Sequence, residues 1–290
     1  MTGTAGLQQD SDYEGTLHMK IGFVGLGDQG QPIARRIALA GHPLTVWARR
    51  AEQCEPVRVD GATVANTLAE VGANSDLVGI CVFGPDDVRN VLFADGGIVP
   101  AMKPGGSVVI HSTISPADII DIAARAAEYG VTVIDAPVSG GRPAAESGEL
   151  VLLLGGEPDA LDSYLPVAET FANRIFRLGD VGSAQSAKLI NNALLAAHMA
   201  IADDALALAR IQHVDVGQFA KMTGQGSGRS FGLDLVMGSK GLENMGWFPG
   251  TAPLGKDVDA LRNALSNAPT HAPALLTAAQ AGIDRLRGAV

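Results

Sequence analysis

Cysteine is nearly absent from this chain of 290 residues, which has only Cys54 and Cys81. The two lie far apart, without CxxC spacing or a neighbouring histidine cluster. Neither a metal site nor a disulfide framework is therefore expected, and the usage fits the reducing cytoplasm. Positive charge is also scarce: Lys and Arg number 21 against 31 Asp and Glu, a formal net charge of -10. Nucleic acid or an anionic membrane would need clustered Lys and Arg, so neither is an expected partner. No run approaches the ~18 consecutive apolar residues of a membrane span. The stretch MTGTAGLQQDSDYEGTLHM has neither the basic nor the apolar region of a secretory signal, and residues 1–19 are expected to be a mobile tail. Charged residues make up 18% and hydrophobic residues 47% of the chain, which is the balance of a globular protein with a large core. In so acidic a chain an anionic ligand needs a local device, such as a helix N-terminus or one or two placed cations.

From Lys20 onward, short β-like apolar runs alternate with helix-like stretches. IGFVGL from Ile21 stops at glycines, and a helix pattern from Gln31 to Ala40 ends at Gly41. Strand patterns follow at LTVWA from Leu44, LVGICVF from Leu77, SVVIHS from Ser107, VTVIDA from Val131, ELVLLLGG from Glu149 and RIFRLG from Arg174. Ser115 and Pro116 read as an N-cap and first helical position. The alternation predicts a parallel, doubly wound sheet, and the near-continuous apolar strands predict cover on both faces. After Gly182 the pattern becomes helical: one long Ala- and Leu-rich helix from Ala184 to Gln212, a Gly/Ser-rich loop from Gly224, and a last helix from about Leu275 to Leu286. The expected architecture is α/β, a doubly wound Rossmann sheet over residues 20–182 followed by an all-α domain over 183–290, joined by the long helix.

Gly25-Leu26-Gly27-Asp28-Gln29-Gly30 lies directly after the first strand and before the first helix. A GxGxxG in that context reads as a dinucleotide fingerprint, with the pyrophosphate on the helix N-terminus. The second strand ends Trp47-Ala48-Arg49-Arg50, with no carboxylate before Glu52. An acidic residue there would take the ribose hydroxyls of NAD, whereas arginine accommodates the 2′-phosphate of NADP. NADP(H) is accordingly the expected preference and NAD remains open; the other reading of Arg49 and Arg50 is two solvated loop residues. Val82 and Phe83, which end the LVGICVF run, are counted among the cofactor contacts. DAPVSGG, from Asp135 to Gly141, follows a strand and then runs on as RPAAESGEL. Ser139, Gly140 and Gly141 offer a hydroxyl and unshielded N–H groups that suit a carboxylate, or they belong to an ordinary loop. Lys188 and Asn192 are four residues apart and so share one helix face. A desolvated lysine has a lowered pKa and can exchange a proton with an alcohol oxygen; most helical lysines are instead solvated.

Taken in order, these segments resemble the β-hydroxyacid dehydrogenase family from about Ile21 to the end of the chain. The resemblance rests on IGFVGLGDQG with GHPLTVWARR, STISP at Ser112, DAPVSGG, the glycine-rich run into Lys188 and Asn192, and Lys256-Asp257. The family includes 3-hydroxyisobutyrate dehydrogenase, tartronate semialdehyde reductase and the glyoxylate/succinic semialdehyde reductases, and 6-phosphogluconate dehydrogenase is similar to it. It implies that Lys188 is the catalytic acid/base, assisted by Asn192, and that Ser139, Gly140 and Gly141 take a substrate carboxylate. Lys256 would reach substrate and cofactor from the helical domain, and Asp257 and Phe248 would contact the substrate. Thr113 would lie on the nicotinamide side, and Phe248 resembles an aromatic residue that the family places shortly before the Lys-Asp pair. Gln29 stands where the family often has Met, and Ala48 where it often has Asn.

The reaction so implied is hydride transfer between NADP(H) and a small β-hydroxy acid or its semialdehyde or keto partner, the substrate entering between the domains while Lys188 supplies or takes the proton. Two rivals remain: an imine reductase, which commonly has Asp or Tyr at the Lys188 position, and a non-catalytic NADPH-binding module. The apolar surface of the long helix predicts a homodimer or homotetramer.

Overall fold

The computed structural model describes residues 19–245, 250–265 and 272–288. All of the expected tail except Met19 therefore lies outside the described residues, as does Phe248. The chain divides into two compact units, one ending at Ala187 and the other beginning at Lys188.

The first unit is built on a nine-stranded sheet. Its strands are β1 (Ile21–Val24), β2 (Leu44–Trp47), β3 (Thr63–Val64), β4 (Leu77–Ile80), β5 (Ser107–Ile110), β6 (Thr132–Asp135), β7 (Val138–Ser139), β8 (Leu150–Gly155) and β9 (Ala172–Gly179). The helices between them are α1 (Gly30–Leu39), α2 (Glu55–Val59), α3 (Leu68–Ala73), α4 (Pro85–Phe93), α5 (Ile98–Ala101), α6 (Pro116–Ala127), α7 (Gly141–Ser147) and α8 (Pro158–Ala168). The spatial order is β3-β2-β1-β4-β5-β6-β8-β7, with β9 beside β8. Strand order reverses about β1, running out to β2 and β3 on one side and to β4 and β5 on the other, which makes the carboxyl end of β1 the topological switch point where open α/β sheets bind ligands.

Alternate residues of each central strand enter opposite cores. Phe23, Leu77, Val109 and Ile134 pack on one face with Ile33, Ile37, Tyr164 and Phe171. Val24, Val78, Ile80, Val108, Ile110 and Val133 pack on the other with Leu92, Ile119 and Ile122. Burial on both faces is why the strands read as continuous apolar runs rather than alternating ones. Helix ends follow local chemistry: Ser115 Oγ accepts from the Asp118 amide with Pro116 at the first turn, and Gly41, with φ of 88°, follows the end of α1.

The expectation of a parallel sheet fails at one edge. β1 to β6 are mutually parallel, but β6 and β7 both run antiparallel to β8. The register is continuous, with Asp135 opposite Gly155, Val138 opposite Leu152 and Ser139 opposite Val151. β6 and β7 are thus one ladder interrupted at Pro137, which has no N–H to donate but whose carbonyl accepts from the Leu153 amide at 3.1 Å. A return to the far end of the sheet needs a long crossover. The only helix available is α7, seven residues or about 10 Å long, so the chain folds back as a wide hairpin. The stretch RPAAESGEL accordingly contains most of α7, and DAPVSGG contains β7.

His111 follows β5 into the first core, stacked on Phe23 at a centroid distance of 5.8 Å and edge-on to Phe171. Its Nδ1 lies 2.9 Å from the Ala136 carbonyl oxygen, and burial pushes its pKa down to about 4. It is a neutral core residue.

The second unit contains most of α9 (Ser183–Ile211), with α10 (Val216–Gln225), α11 (Phe231–Ser239), α12 (Thr251–Ala264) and α13 (Pro273–Gly288). Its core joins Leu189, Ala193, Ala196, Met199 and Leu206 of α9 to Val236, Val258 and Ile283. The crossing with α13 is close enough that a Cβ at Gly282 would lie 2.3 Å from the Ala196 carbonyl oxygen. Asp215 and Ser230 cap α10 and α11 through the Gln218 and Leu233 amides. The Gly/Ser-rich loop is shorter than expected, because Gly224 and Gln225 belong to α10 and Phe231 opens α11. Among the described residues no helix is long and apolar enough to cross a membrane, and no group of three or more metal-ligating side chains forms.

Candidate active site

The sequence-predicted residues gather into one group in each unit. In the first, every candidate follows the carboxyl end of a strand: Gly25 to Gly30 after β1, Arg49 and Arg50 after β2, Val82 and Phe83 after β4, Thr113 after β5, and Ser139 to Gly141 along β7. Parallel strands bring these ends to one edge of the sheet.

The three fingerprint glycines differ in what they tolerate. A Cβ on Gly25 would lie 2.2 Å from the Cys81 carbonyl oxygen, and one on Gly30 would lie 1.9 Å from the Gly25 carbonyl oxygen. These two are required by the fold of the loop itself. A Cβ on Gly27 would meet nothing within 4 Å, so that backbone is bare only toward solvent. α1 has no side-chain cap and no acidic residue in its first turn. An exposed bare backbone at an uncapped helix N-terminus suits a pyrophosphate. Asp28 is the one acidic group in the loop, and Arg142 pairs with it at 3.2 Å while also holding Glu146 at 2.7 Å. Sequence reading did not see this tie between the glycine loop and the residue after Gly141, because charge pairs more than a hundred positions apart leave no spacing signal.

Arg49 and Arg50 are both exposed, and Phe83 is 65% exposed. Ser139 is half-buried, and Gly140 and Gly141 are exposed with φ of 132° and 72°. The amide of Val82 donates to Ser112 Oγ at 2.9 Å, joining the ends of β4 and β5.

In the second unit, Lys188 is buried, at 7% exposure, and Asp257 at 2%. Asn192 Nδ2 donates to Asp257 Oδ2 at 2.6 Å, and Lys256 Nζ pairs with Oδ1 at 3.5 Å. Burial pulls the Lys188 pKa below the ordinary lysine value, and the Asp257 carboxylate pushes it back up. Burial raises Asp257 in turn, against the opposing pull of Lys256, Asn192 and Lys188. Lys188 is a desolvated amine within electrostatic reach of the Asp257 carboxylate, able to release a proton more readily than a solvated lysine. Asp257, expected as a substrate contact, is the residue to which Asn192 is tied.

Residues 20–179 match the family model described as the NAD-binding domain of 6-phosphogluconate dehydrogenase, and residues 182–284 match that described as NAD-binding of NADP-dependent 3-hydroxyisobutyrate dehydrogenase. The chain is 31% identical to 2-(hydroxymethyl)glutarate dehydrogenase of Eubacterium barkeri, over 76% of this chain and 73% of that one. It is 32% identical to the NAD-dependent L-serine dehydrogenase of Pseudomonas aeruginosa, over 74% and 72% respectively. Among solved structures, 3-hydroxyisobutyrate dehydrogenase of Mycobacterium tuberculosis with L-serine superposes with a TM-score of 0.82 at 26% identity, covering 91% of this chain and 92% of that one. Fold, glycine loop and relatives together define an NAD(P)-dependent oxidoreductase that acts on CH–OH groups. The chain belongs to the β-hydroxyacid dehydrogenase family, with proteins of the 3-hydroxyisobutyrate dehydrogenase type.

Proposed function

We propose that this chain oxidises, reversibly, the hydroxymethyl group of a small carboxylic acid of the form HOCH2–CH(R)–COO⁻, with Lys188 as the acid/base. The observation that carries the proposal is the burial of Lys188 with Asp257 and Asn192 beside it. In oxidation the neutral amine of Lys188 accepts the hydroxyl proton; in reduction its ammonium returns a proton to the carbonyl oxygen. Asn192, anchored on Asp257, orients the lysine or the substrate oxygen. A nicotinamide cofactor, when bound, would supply or accept the hydride of this reaction. Gly25 to Gly30, with Val82, Phe83 and Thr113, would hold the cofactor, and Lys256 would contribute charge to it or to the substrate. Ser139 with the Gly140 and Gly141 amides is assigned to the substrate carboxylate. L-serine, 3-hydroxyisobutyrate and 2-(hydroxymethyl)glutarate all share the hydroxymethyl-carboxylate unit, which is why it defines the substrate class. Lys188→Ala should lower kcat on these acids by about 10²- to 10⁴-fold while leaving dinucleotide affinity within about threefold; equal loss of both would overturn the assignment.

The reading includes a preference for NADP(H). It is supported by Arg49 and Arg50, exposed directly after β2, where a guanidinium pair fits a 2′-phosphate. A higher kcat/KM with NAD+ than with NADP+ would reverse it. It includes a homodimer or homotetramer, because Ile190, Leu194, Ile201, Leu208 and Ile211 leave 43–67% of their surface exposed at helical spacing along α9; light scattering decides this. It also includes a cytoplasmic location, in keeping with two free cysteines, Cys54 and Cys81.

A further inference from the structure

The long helix α9 begins without a capping side chain of its own. Its first backbone bond of helical spacing runs from the Ser186 amide to the Gly182 carbonyl at 3.0 Å, which puts Gly182 at the N-cap, where Ser, Thr, Asp or Asn would ordinarily supply an oxygen. The oxygen comes instead from fifty positions earlier. Asp135, the last residue of β6, is completely buried, and its Oδ2 accepts from the Gln185 amide at 3.0 Å. A carboxylate there is favoured by the positive end of a 29-residue helix. Gly155 makes the approach possible, since a Cβ on it would lie 2.3 Å from Asp135 Oδ1 and 2.8 Å from Ser183 Oγ.

Gln185 is itself completely buried, and its side chain is used at both ends. Oε1 accepts from the Ile114 amide at 3.1 Å, and Nε2 donates to the Ser112 carbonyl at 3.0 Å. Ser112 Oγ in turn accepts from the Val82 amide at 2.9 Å. One chain of hydrogen bonds therefore links the ends of β4, β5 and β6 to the first turn of α9, three residues before Lys188. A simple helix cap needs only the Asp135 bond. The amide clamp on Ser112 and Ile114 holds the first turn by a side chain as well as by its backbone.

We propose that Asp135 and Gln185 are positioning residues that set the axial and rotational register of α9, and with it the placement of the Lys188 amine. This rests on the reading of Lys188 as the acid/base. Misplacing such a group by an ångström costs about 100-fold in rate, and supporting residues of this kind typically contribute about 10- to 100-fold.

The test compares the wild type with Gln185→Leu, Asp135→Ala, the conservative Asp135→Asn and Lys188→Ala. The readouts are kcat, KM and pH profile on 3-hydroxyisobutyrate, L-serine or 2-(hydroxymethyl)glutarate, whichever is turned over, together with amide hydrogen exchange along α9. Gln185→Leu and Asp135→Ala should lose about 10- to 100-fold in kcat, with dinucleotide Kd within about threefold. Their pH profiles should shift, and exchange should accelerate at residues 183–188 but not further along the helix. Asp135→Asn, which keeps an oxygen for the Gln185 amide, should recover most of the rate. Wild-type kcat with wild-type exchange at the helix root overturns the proposal. So does a loss explained wholly by a lower folded fraction with an unchanged pH profile. If Lys188→Ala retains its kcat, or none of the three acids is turned over, it is the acid/base or substrate reading that fails. Exchange at 183–188 then decides the positioning claim alone: faster exchange supports it, and unchanged exchange overturns it.

Discussion

His111 and Lys188 are buried basic side chains whose pKa values are pushed down by the same cause, desolvation, and nothing else about them is alike. His111, in the sheet unit, is ringed by Phe23, Phe171 and Tyr164 and rests on a backbone carbonyl. Lys188, in the helical unit, has Asp257 and Asn192 close by. A group held neutral among rings has no charge to exchange with a ligand and belongs to the core. A group whose neutral form is favoured by burial but whose charged form still has a carboxylate is poised to do both. Depth of burial does not separate the two; the neighbouring carboxylate does.

The largest effect expected from breaking this comparison is in catalysis. Lys188→Ala should lower kcat by about 10²- to 10⁴-fold, measured by steady-state oxidation of the hydroxymethyl acids, while His111→Gln should leave kcat within about twofold. Stability shows the reverse. The folded pKa of His111 is about 4, below the unfolded value of about 6.5. Its contribution is therefore complete above pH of about 6.5 and is lost as pH falls toward 4, up to about 3 kcal/mol. Urea unfolding of the wild type at a series of pH values should show this acid loss, and His111→Gln should flatten it.

A smaller effect separates the glycine loop from both. Gly27 faces open space and lacks a positive φ, so Gly27→Ala should leave Tm within about 2 °C yet weaken dinucleotide binding about 10-fold by calorimetry. Gly30→Ala, driven against the Gly25 carbonyl, should instead lower Tm. Replacing Arg49 and Arg50 together by Gln should cut the NADP+ to NAD+ ratio of kcat/KM about 10-fold, and an unchanged ratio would remove their role.

The residues legible in the sequence are those whose roles are local. The glycine loop between a strand and a helix, the two-faced apolar strands and the long Ala-rich helix each announce themselves within a dozen positions. The antiparallel β8 did not, because a six-residue apolar run has the same pattern in either direction, and only the shortness of α7 decides it. Asp135 carried a signal that went unread: a lone carboxylate ending an otherwise apolar buried strand needs a partner. Gln185 carried little, since a glutamine among Ser and Ala at a helix start looks solvated until its partners, about seventy positions away, are known. The tie of Asn192 to Asp257 is hidden for the same reason, since the two are 65 positions apart.

The account stands on Lys188 as the titrating group, and the pH dependence of kcat/KM for oxidation tests it most directly. The wild type should show an acid limb below the ordinary lysine pKa of about 10.4, since burial lowers Lys188 and the proposed mechanism uses its neutral amine. Asp257→Asn removes the group that raises it, so the limb should move to lower pH. The residual activity of Lys188→Ala should lack it. The same limb, unmoved in Asp257→Asn and still present in Lys188→Ala, would place the proton on another group.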